Sequence, residues 1–205
     1  MNCYVLVGGR STRLGTSKAA LFLDRVAAAA RPVFDRVIAV DRSQTGMSGP
    51  HTRGADIPVC ATIFPHMCGA DIPVCATIFE DAHEDEAPIF GVRRALDHAQ
   101  AKCFILAVDY PLITSELLRD WSLRFATSSA NMLVPRSGGY PHVLCAGYSH
   151  LLLPVITARI VRRQYDLRSI AADAEFVDHD GAELLNVNTI EELEAYERQR
   201  LLSSR

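Results

Sequence analysis

Short, wholly apolar runs alternate along this chain with longer stretches in which apolar residues recur at helical spacing. Cys3–Val7 (CYVLV) is a first strand that stops at Gly8-Gly9. Lys18–Ala30 is rich in Ala and Leu and predicts a helix. Arg36–Val40 (RVIAV) reads as a second strand. Between Ile89 and Ala99 the apolar positions Ile89, Phe90, Val92, Leu96 and Ala99 make a helical stripe. Cys103–Val108 (CFILAV) has no polar face, the pattern of a strand buried on both sides. Thr114 or Ser115 supplies the N-cap of a helix running to about Phe125. Asn131–Pro135 and His142–Tyr148 read as strands. Thr189-Ile-Glu-Glu192 is a capping box, with Thr189 as N-cap, opening a last helix to about Leu202. This order of strands and helices predicts a three-layer α/β/α sandwich with a mainly parallel sheet, one domain over residues 1–205. Ligands of such sheets sit outside the carboxyl ends of the strands, so Gly8-Gly9 and Asp109 are expected on one rim.

One segment breaks the alternation. Residues 51–64 read HTRGADIPVCATIF and residues 66–79 read HMCGADIPVCATIF. Stacked repeat architectures need about three units to bury a continuous core, so two copies do not make a solenoid. The plain reading is a tandem duplication in a surface connection, an insertion at about 51–79, whose closure entropy grows only as the logarithm of length. Cys60, His66, Cys68 and Cys75 fall in it, but their spacing lacks the paired Cys-x2–4-Cys of structural zinc sites. The copy ending at Phe79 runs directly into Glu80-Asp81 and the next helix, and is expected to hold the native strand position.

Composition narrows the class of partner. Lys and Arg number 21 against 24 Asp and Glu, a formal charge of −3, so no basic excess points to nucleic acid or an anionic membrane. No apolar run approaches the ~18 residues of a membrane span. MNCYVLV has no cationic region ahead of its apolar stretch and reads as a strand rather than a signal peptide. Several of the six cysteines fall in apolar runs, where the thiol behaves as a small hydrophobe, and the expected setting is a reducing cytoplasm.

The chemistry concentrates in LVGGRSTRLGTSK, residues 6–18. A strand enters a turn holding Gly8, Gly9 and Gly15, with Arg10, Ser11 and Arg13 between them and Lys18 opening a helix. Glycines let backbone N–H groups converge on an anion, the helix start adds a favourable dipole, and three cations match a polyphosphate. Gly8-Gly9 alone would be only a turn. The Walker spacing fails because five residues separate Gly9 from Gly15, and no G-x-G-x-x-G occurs.

This stretch resembles L-A-G-G-x-[SA]-x-R-[ML]-G-x-D-K, the signature of the molybdenum cofactor guanylyltransferases and their cytidylyltransferase relatives. Three further stretches are similar and fall in the same order. ILAVDYPLI (105–113) resembles the family's apolar strand followed by Asp-x-Pro, and APIFGVRRAL (87–96) its G-P-L-x-G-[IL] helix start. NVNTIEEL (186–193) resembles N-[VI]-N-T-P-E-[ED]-[LF], and HVLCAGY (142–148) is a looser match to H-P-L-x-A-x-Y. The resemblance spans residues 3–195 apart from the duplicated block. It implies a Rossmann-like nucleotidyltransferase sheet and Mg²⁺-dependent transfer of GMP from GTP to the terminal phosphate of molybdopterin, with release of pyrophosphate. Arg13, Lys18 and Asp109 take the catalytic positions. Leu6, Gly8, Gly9, Arg10, Ser11, Gly15, Asp81, Asn186 and Asn188 line the nucleotide and acceptor, and Asp109 with Asn188 holds the metal. His142 falls on the His of H-P-L, on the acceptor side. The partners implied are GTP and a molybdopterin-type acceptor, without nucleic acid or membrane, and transient contact with molybdoenzymes or cofactor-delivery proteins.

The chain departs from the pattern in places. The Asp before the loop lysine is Ser17, the first Gly of G-P-L-x-G is Ala87, and the two motif prolines are Val143 and Ile190. Between Lys18 and the helix ending near Ala30, where the family has a short strand and a glycine turn, KAALFLDRV runs on directly. Base choice is not readable here, so a CTP-dependent molybdopterin cytidylyltransferase or another nucleotidyltransferase stands beside the guanylyltransferase reading. Ser17, Ala87 and the shortened loop keep open a non-catalytic nucleotide- or pterin-binding paralogue.

Overall fold

A computed structural model describes residues 1–7, 18–42, 76–80, 85 and 87–203. The first half runs β1 (Asn2–Leu6), α1 (Lys18–Ala30), β2 (Val37–Arg42), β3 (Ala76–Glu80), α2 (Pro88–Ala99) and β4 (Cys103–Ala107). The second half adds α3 (Ser115–Thr127), β5 (Met132–Ser137), β6 (Tyr140–Pro141), β7 (Cys145–Tyr148), α4 (Leu153–Val161), β8 (Glu175–Asp178) and α5 (Ile190–Ser203). The strands form one eight-stranded sheet in the order β3-β2-β1-β4-β7-β5-β6, with β8 also pairing β5. The pairings β3-β2, β2-β1, β1-β4 and β5-β8 are parallel, whereas β7 runs antiparallel to β4 and β5, and β6 to β5. No helix among the described residues is long and apolar enough to cross a membrane.

Strand alternation sorts the core into two layers. Cys3, Val5 and Val7 of the first run, with Val37, Ala39, Phe104 and Leu106, face a layer built by Phe22, Leu23 and Val26 of α1 and Leu118, Trp121 and Phe125 of α3. Tyr4, Leu6, Ile38, Val40, Cys103 and Ile105 face the opposite layer, built by Ile89, Phe90, Val92 and Leu96 of α2 and Ile156 of α4. The crossover from β1 to β2 and that from β3 to β4 traverse the sheet in opposite directions, so right-handed connections place α1 and α2 on opposite faces. This is the three-layer sandwich expected, and β4 is buried at every position, as CFILAV requires. Cys3, Cys103 and Cys145 are free thiols in this interior, where burial pushes each one up from its ordinary pKa, Cys103 to about 12.

Some local features differ from the sequence reading. The strand expected over His142–Tyr148 begins only at Cys145, because the Cys145 N–H closes a turn on the His142 carbonyl at 2.9 Å. The chain before it forms an unexpected two-residue turn, with Gly138 and Gly139 at φ 54° and 82° joining β5 to β6. Left-handed φ at both positions suits the right-handed twist of a tight hairpin and favours glycine. The helix α4 and the strand β8 also had no clear signal. Thr114 is the N-cap of α3, its hydroxyl accepting from Leu117 N–H at 3.3 Å.

The centre of the second half rests on one close approach. Gly147 of β7 pairs with Phe104 and Leu133, and a Cβ placed on it would lie 2.4 Å from Cδ1 and 2.7 Å from Cγ of the buried Phe125 ring. The ring is held in turn by Lys102, whose ammonium sits 4.6 Å from its centroid and donates to the Phe125 and Ser128 carbonyls at the end of α3. Gly147→Ala should therefore destabilise the fold by about 1–3 kcal/mol through overpacking, and Phe125→Leu added to it should recover part of the loss. Urea unfolding of the three proteins checks this; an unchanged midpoint for Gly147→Ala would contradict it.

The strand beside β2 comes from the second copy of the duplicated block: Ala76–Glu80 pairs in parallel from Ile38↔Ala76 to Arg42↔Glu80. Residues 51–65 lie outside those described, as do Cys60, His66, Cys68 and Cys75. We propose that the chain is a single domain in which the first copy is an insertion. Deleting residues 51–65 should leave cooperative unfolding within a few degrees of the parent. Loss of a cooperative melting transition would show that both copies are needed.

Candidate functional site

The sheet's strand order reverses at β1 and β4, since β2 and β3 lie to one side of β1 while β4 lies to the other. A crevice at such a reversal, outside the carboxyl ends, is the usual ligand site of open α/β sheets. The pairing runs to the last residues, Leu6↔Ala107, and continues as Val108 N–H donates to the Leu6 carbonyl at 3.3 Å. On the other side Val7 N–H donates to the Val40 carbonyl at 3.1 Å. Leu6 closes β1 with its side chain in the layer of α2, so it underlies the rim.

Gly8 follows Val7 directly in the chain. Gly8, Gly9, Arg10, Ser11, Arg13 and Gly15 lie outside the described residues, as does Asp81. Lys18 is the first residue of α1. That helix runs back toward the start of β1: beyond its last turn, Asp35 N–H donates to the Met1 carbonyl at 3.2 Å, and the Met1 amino group pairs with the Asp35 carboxylate. Its N-terminus therefore stands at the carboxyl edge, where the unpaired N–H groups of a first turn favour an anion.

Asp109 lies two residues past β4, half-buried, in a turn with Tyr110 N–H on the Ala107 carbonyl (3.4 Å) and Ile113 N–H on the Tyr110 carbonyl (3.2 Å). Its own carbonyl accepts from Val187 N–H at 2.9 Å. That bond places NVN of residues 186–188 across the end of β4. Val187 is 5% exposed in the core, while Asn186 and Asn188 on either side are exposed. The turn that follows is capped by other side chains: Thr189 Oγ1 accepts from Glu192 N–H at 3.1 Å, and Glu192 Oε2 accepts from Asn188 N–H at 2.8 Å. Glu192 thus reaches one residue further back than the usual capping-box partner, and its reach fixes the backbone of Asn188.

Tyr110, Ser137 and Tyr140, which the sequence reading did not place in the site, meet His142 beside this turn. Tyr110 and His142 are buried, with Tyr110 Oη 3.3 Å from His142 Nδ1. His142 Nε2 lies 2.7 Å from Ser137 Oγ. Tyr140, 54% exposed, packs edge-on to the imidazole with ring centroids 5.5 Å apart, and the Arg168 guanidinium lies over the Tyr140 ring at 5.7 Å. Burial lowers the His142 pKa from its ordinary value and raises that of Tyr110, so both stay neutral near pH 7. The signal available was Tyr110 itself, an aromatic residue between the Asp and Pro of ILAVDYPLI.

The positions that depart from the family pattern show how the fold absorbs them. Ala87 precedes α2 at φ −144° and ψ 143°, an extended conformation open to any residue, so glycine is not required for the backbone there. Ile190 is the first residue of α5, where proline is preferred but not obligatory. Asp85, in the connection before α2, accepts from the Tyr165 hydroxyl at 2.5 Å, and Tyr165 packs on Phe90 at 5.3 Å.

Asp109 and Asn188 offer hard oxygen donors on facing backbone segments, a donor set that suits Mg²⁺ completed by phosphate oxygens and water. Among the described residues, no three His, Cys, Asp or Glu side chains converge into a closed metal cage.

Residues 3–179 match the family model described as the MobA-like NTP transferase domain, a match that ends short of Asn186 and Asn188. Two similar proteins are each named probable molybdenum cofactor guanylyltransferase. The one from Flavobacterium johnsoniae is 22% identical over 205 residues, covering 94% of both chains. The one from Aquifex aeolicus is 27% identical over 207 residues, covering 93% of this chain and 87% of its own. Molybdopterin-guanine dinucleotide biosynthesis protein A from Archaeoglobus fulgidus superposes with a TM-score of 0.68 at 19% identity, covering 100% of each chain. The 2-C-methyl-D-erythritol 4-phosphate cytidylyltransferase from Thermus thermophilus superposes at 0.57 with 14% identity, covering 97% of this chain and 98% of its own. At such identities these structures show the fold. The family match over most of the chain shows more: this protein belongs to the MobA-like NTP transferases and is a nucleotidyltransferase.

Proposed function

We propose that the protein transfers GMP from GTP to the terminal phosphate of a molybdopterin-type acceptor, with Mg²⁺ as its metal. The observation that supports this best is the hydrogen bond from Val187 to the Asp109 carbonyl, which joins two motif segments at the crevice between β1 and β4. The names of the two relatives support the choice of guanylyl transfer and of acceptor. In this reading an oxygen of the acceptor phosphate attacks the α-phosphorus of GTP, the bond to the β-phosphate breaks, and pyrophosphate leaves. Such transfer asks the protein for in-line placement and charge neutralisation rather than covalent help. Arg13 and Lys18 neutralise the triphosphate, and the backbone of Gly8, Gly9 and Gly15 with Arg10 and Ser11 wraps it at the N-terminus of α1. Leu6 supports that loop from below, and Asp81 meets the nucleoside. Asp109 and Asn188 hold the metal, which when bound screens charge on the phosphate oxygens. Asn186 faces the acceptor.

Asp109→Asn keeps the size of the side chain and removes its charge. It should lower the transfer rate by roughly 100-fold or more while the melting temperature stays within a few degrees. Pyrophosphate release with circular dichroism melting tests this; turnover within a few-fold of the parent would contradict the assignment.

Ser17 and the shortened stretch after Lys18 favour a second reading, in which nucleotide binds without transfer. Nucleotide choice separates the readings. A ligand at 100 times its Kd stabilises the native state by about 2.7 kcal/mol, a rise of about 5–10 °C for a chain of this size. GTP with Mg²⁺ should give such a rise, exceeding that with CTP or ATP. A larger shift with CTP would move the protein to the cytidylyl branch. A GTP shift without pyrophosphate release would favour the binding protein.

A further inference from the structure

We propose that His142 is a positioning residue for Asp109, acting through the phenol of Tyr110. The proposal rests on the reading of Asp109 as the metal-holding carboxylate. The strand β5 runs parallel to β4 through β7, so its last residue, Ser137, stands at the same carboxyl edge as Asp109. The Gly138-Gly139 turn reverses the chain there and brings His142 back over β5, where its N–H donates to the Pro135 carbonyl at 2.9 Å.

The imidazole is then closed in on every side that carries a polar atom. Nδ1 meets Tyr110 Oη at 3.3 Å and Nε2 meets Ser137 Oγ at 2.7 Å. The rings of Tyr110 and Tyr140 stand edge-on to it at 5.8 Å and 5.5 Å. A neutral imidazole has one donor and one acceptor nitrogen, and two hydroxyls satisfy both in either tautomer. His142 is 8% exposed and both its ring nitrogens are taken by hydroxyls. What it grips is the residue next to Asp109. The turn bearing the carboxylate is thus fixed twice: by Val187 at the Asp109 carbonyl, and by His142 at the far end of the Tyr110 side chain. Metal and transfer geometry tolerate displacements of only about 0.5 Å, which gives such a second anchor a function.

The test measures Mn²⁺ binding in the presence of GTP by electron paramagnetic resonance, together with kcat and KM for GTP. The proteins compared are the parent, Asp109→Asn, Tyr110→Phe, His142→Leu, the double variant Tyr110→Phe with His142→Leu, and His142→Asn, each checked for an intact melting transition. Tyr110→Phe keeps the buried ring and removes only the hydroxyl, and it folds even if His142→Leu does not. Tyr110→Phe and His142→Leu should each weaken Mn²⁺ binding by about 10-fold and lower kcat in parallel, with KM for GTP within two-fold of the parent. The double variant should be no worse than either single one, since both break the same link. His142→Asn, whose amide takes the place of Nδ1, should recover much of the loss. Parent-like Mn²⁺ binding in Tyr110→Phe, when Asp109→Asn has lost it, would overturn the positioning role alone. Parent-like binding in Asp109→Asn would overturn the metal reading and this proposal with it.

Discussion

Everything at the carboxyl edge depends on the five-residue parallel pairing of β1 with β4, from Asn2↔Cys103 to Leu6↔Ala107. These are the two strands between which the sheet order reverses. Because the pairing holds to its last residues, the chain leaves β1 toward Gly8 and leaves β4 toward Asp109 from adjacent points. A slip of one residue would turn one of the two strands over, moving Val5 or Leu106 from the layer of α1 and α3 to that of α2. The register that the hydrophobic pattern enforces is therefore also the register that sets the ends of β1 and β4, Leu6 and Ala107, side by side.

The second half of the chain completes this edge by a different route. It brings β7 antiparallel against β4, and then β5 and β8 back in the direction of β4. The end of β5 delivers Ser137 and, through a two-glycine turn, His142. The chain after β8 delivers Val187 to the Asp109 carbonyl. Two anchors from the second half therefore hold the turn bearing Asp109. The seat of Phe125 on Gly147 lies beside Phe104 and Leu133, toward the amino ends of β4 and β5, and couples α3 to the same strands.

Much of this was legible because the signals were local and redundant. CFILAV had no polar face and became the fully buried β4. Lys18–Ala30 has the bounds read from composition, and Thr189 with Glu192 formed the expected cap of α5. What escaped was decided by partners distant in sequence. Three of the four residues of β8 are half-buried and Asp178 is exposed, and the segment becomes a strand only by pairing β5. Leu153–Val161 reads LPVITARIV, apolar and β-branched almost throughout, and lacks the polar face that announces a helix. The motif gave His142 a position on the acceptor side and said nothing of the contacts of its ring. The Ser137 and Tyr110 hydroxyls that occupy its two nitrogens come from other strands' ends. The bond between Val187 and Asp109 joins backbone atoms, so no side-chain pattern could reveal it. The motifs at both ends of that bond were nonetheless readable, and their resemblance placed them in one site before the fold explained how they meet.

The central claim is that metal and triphosphate meet where β1 and β4 end. A crystal of the protein with Mn²⁺ and a non-hydrolysable GTP analogue, read by anomalous scattering, tests it most directly. The account predicts one manganese bound directly by the Asp109 carboxylate, with the triphosphate at the N-terminus of α1. Manganese bound with the nucleotide at any site remote from Asp109 would contradict it.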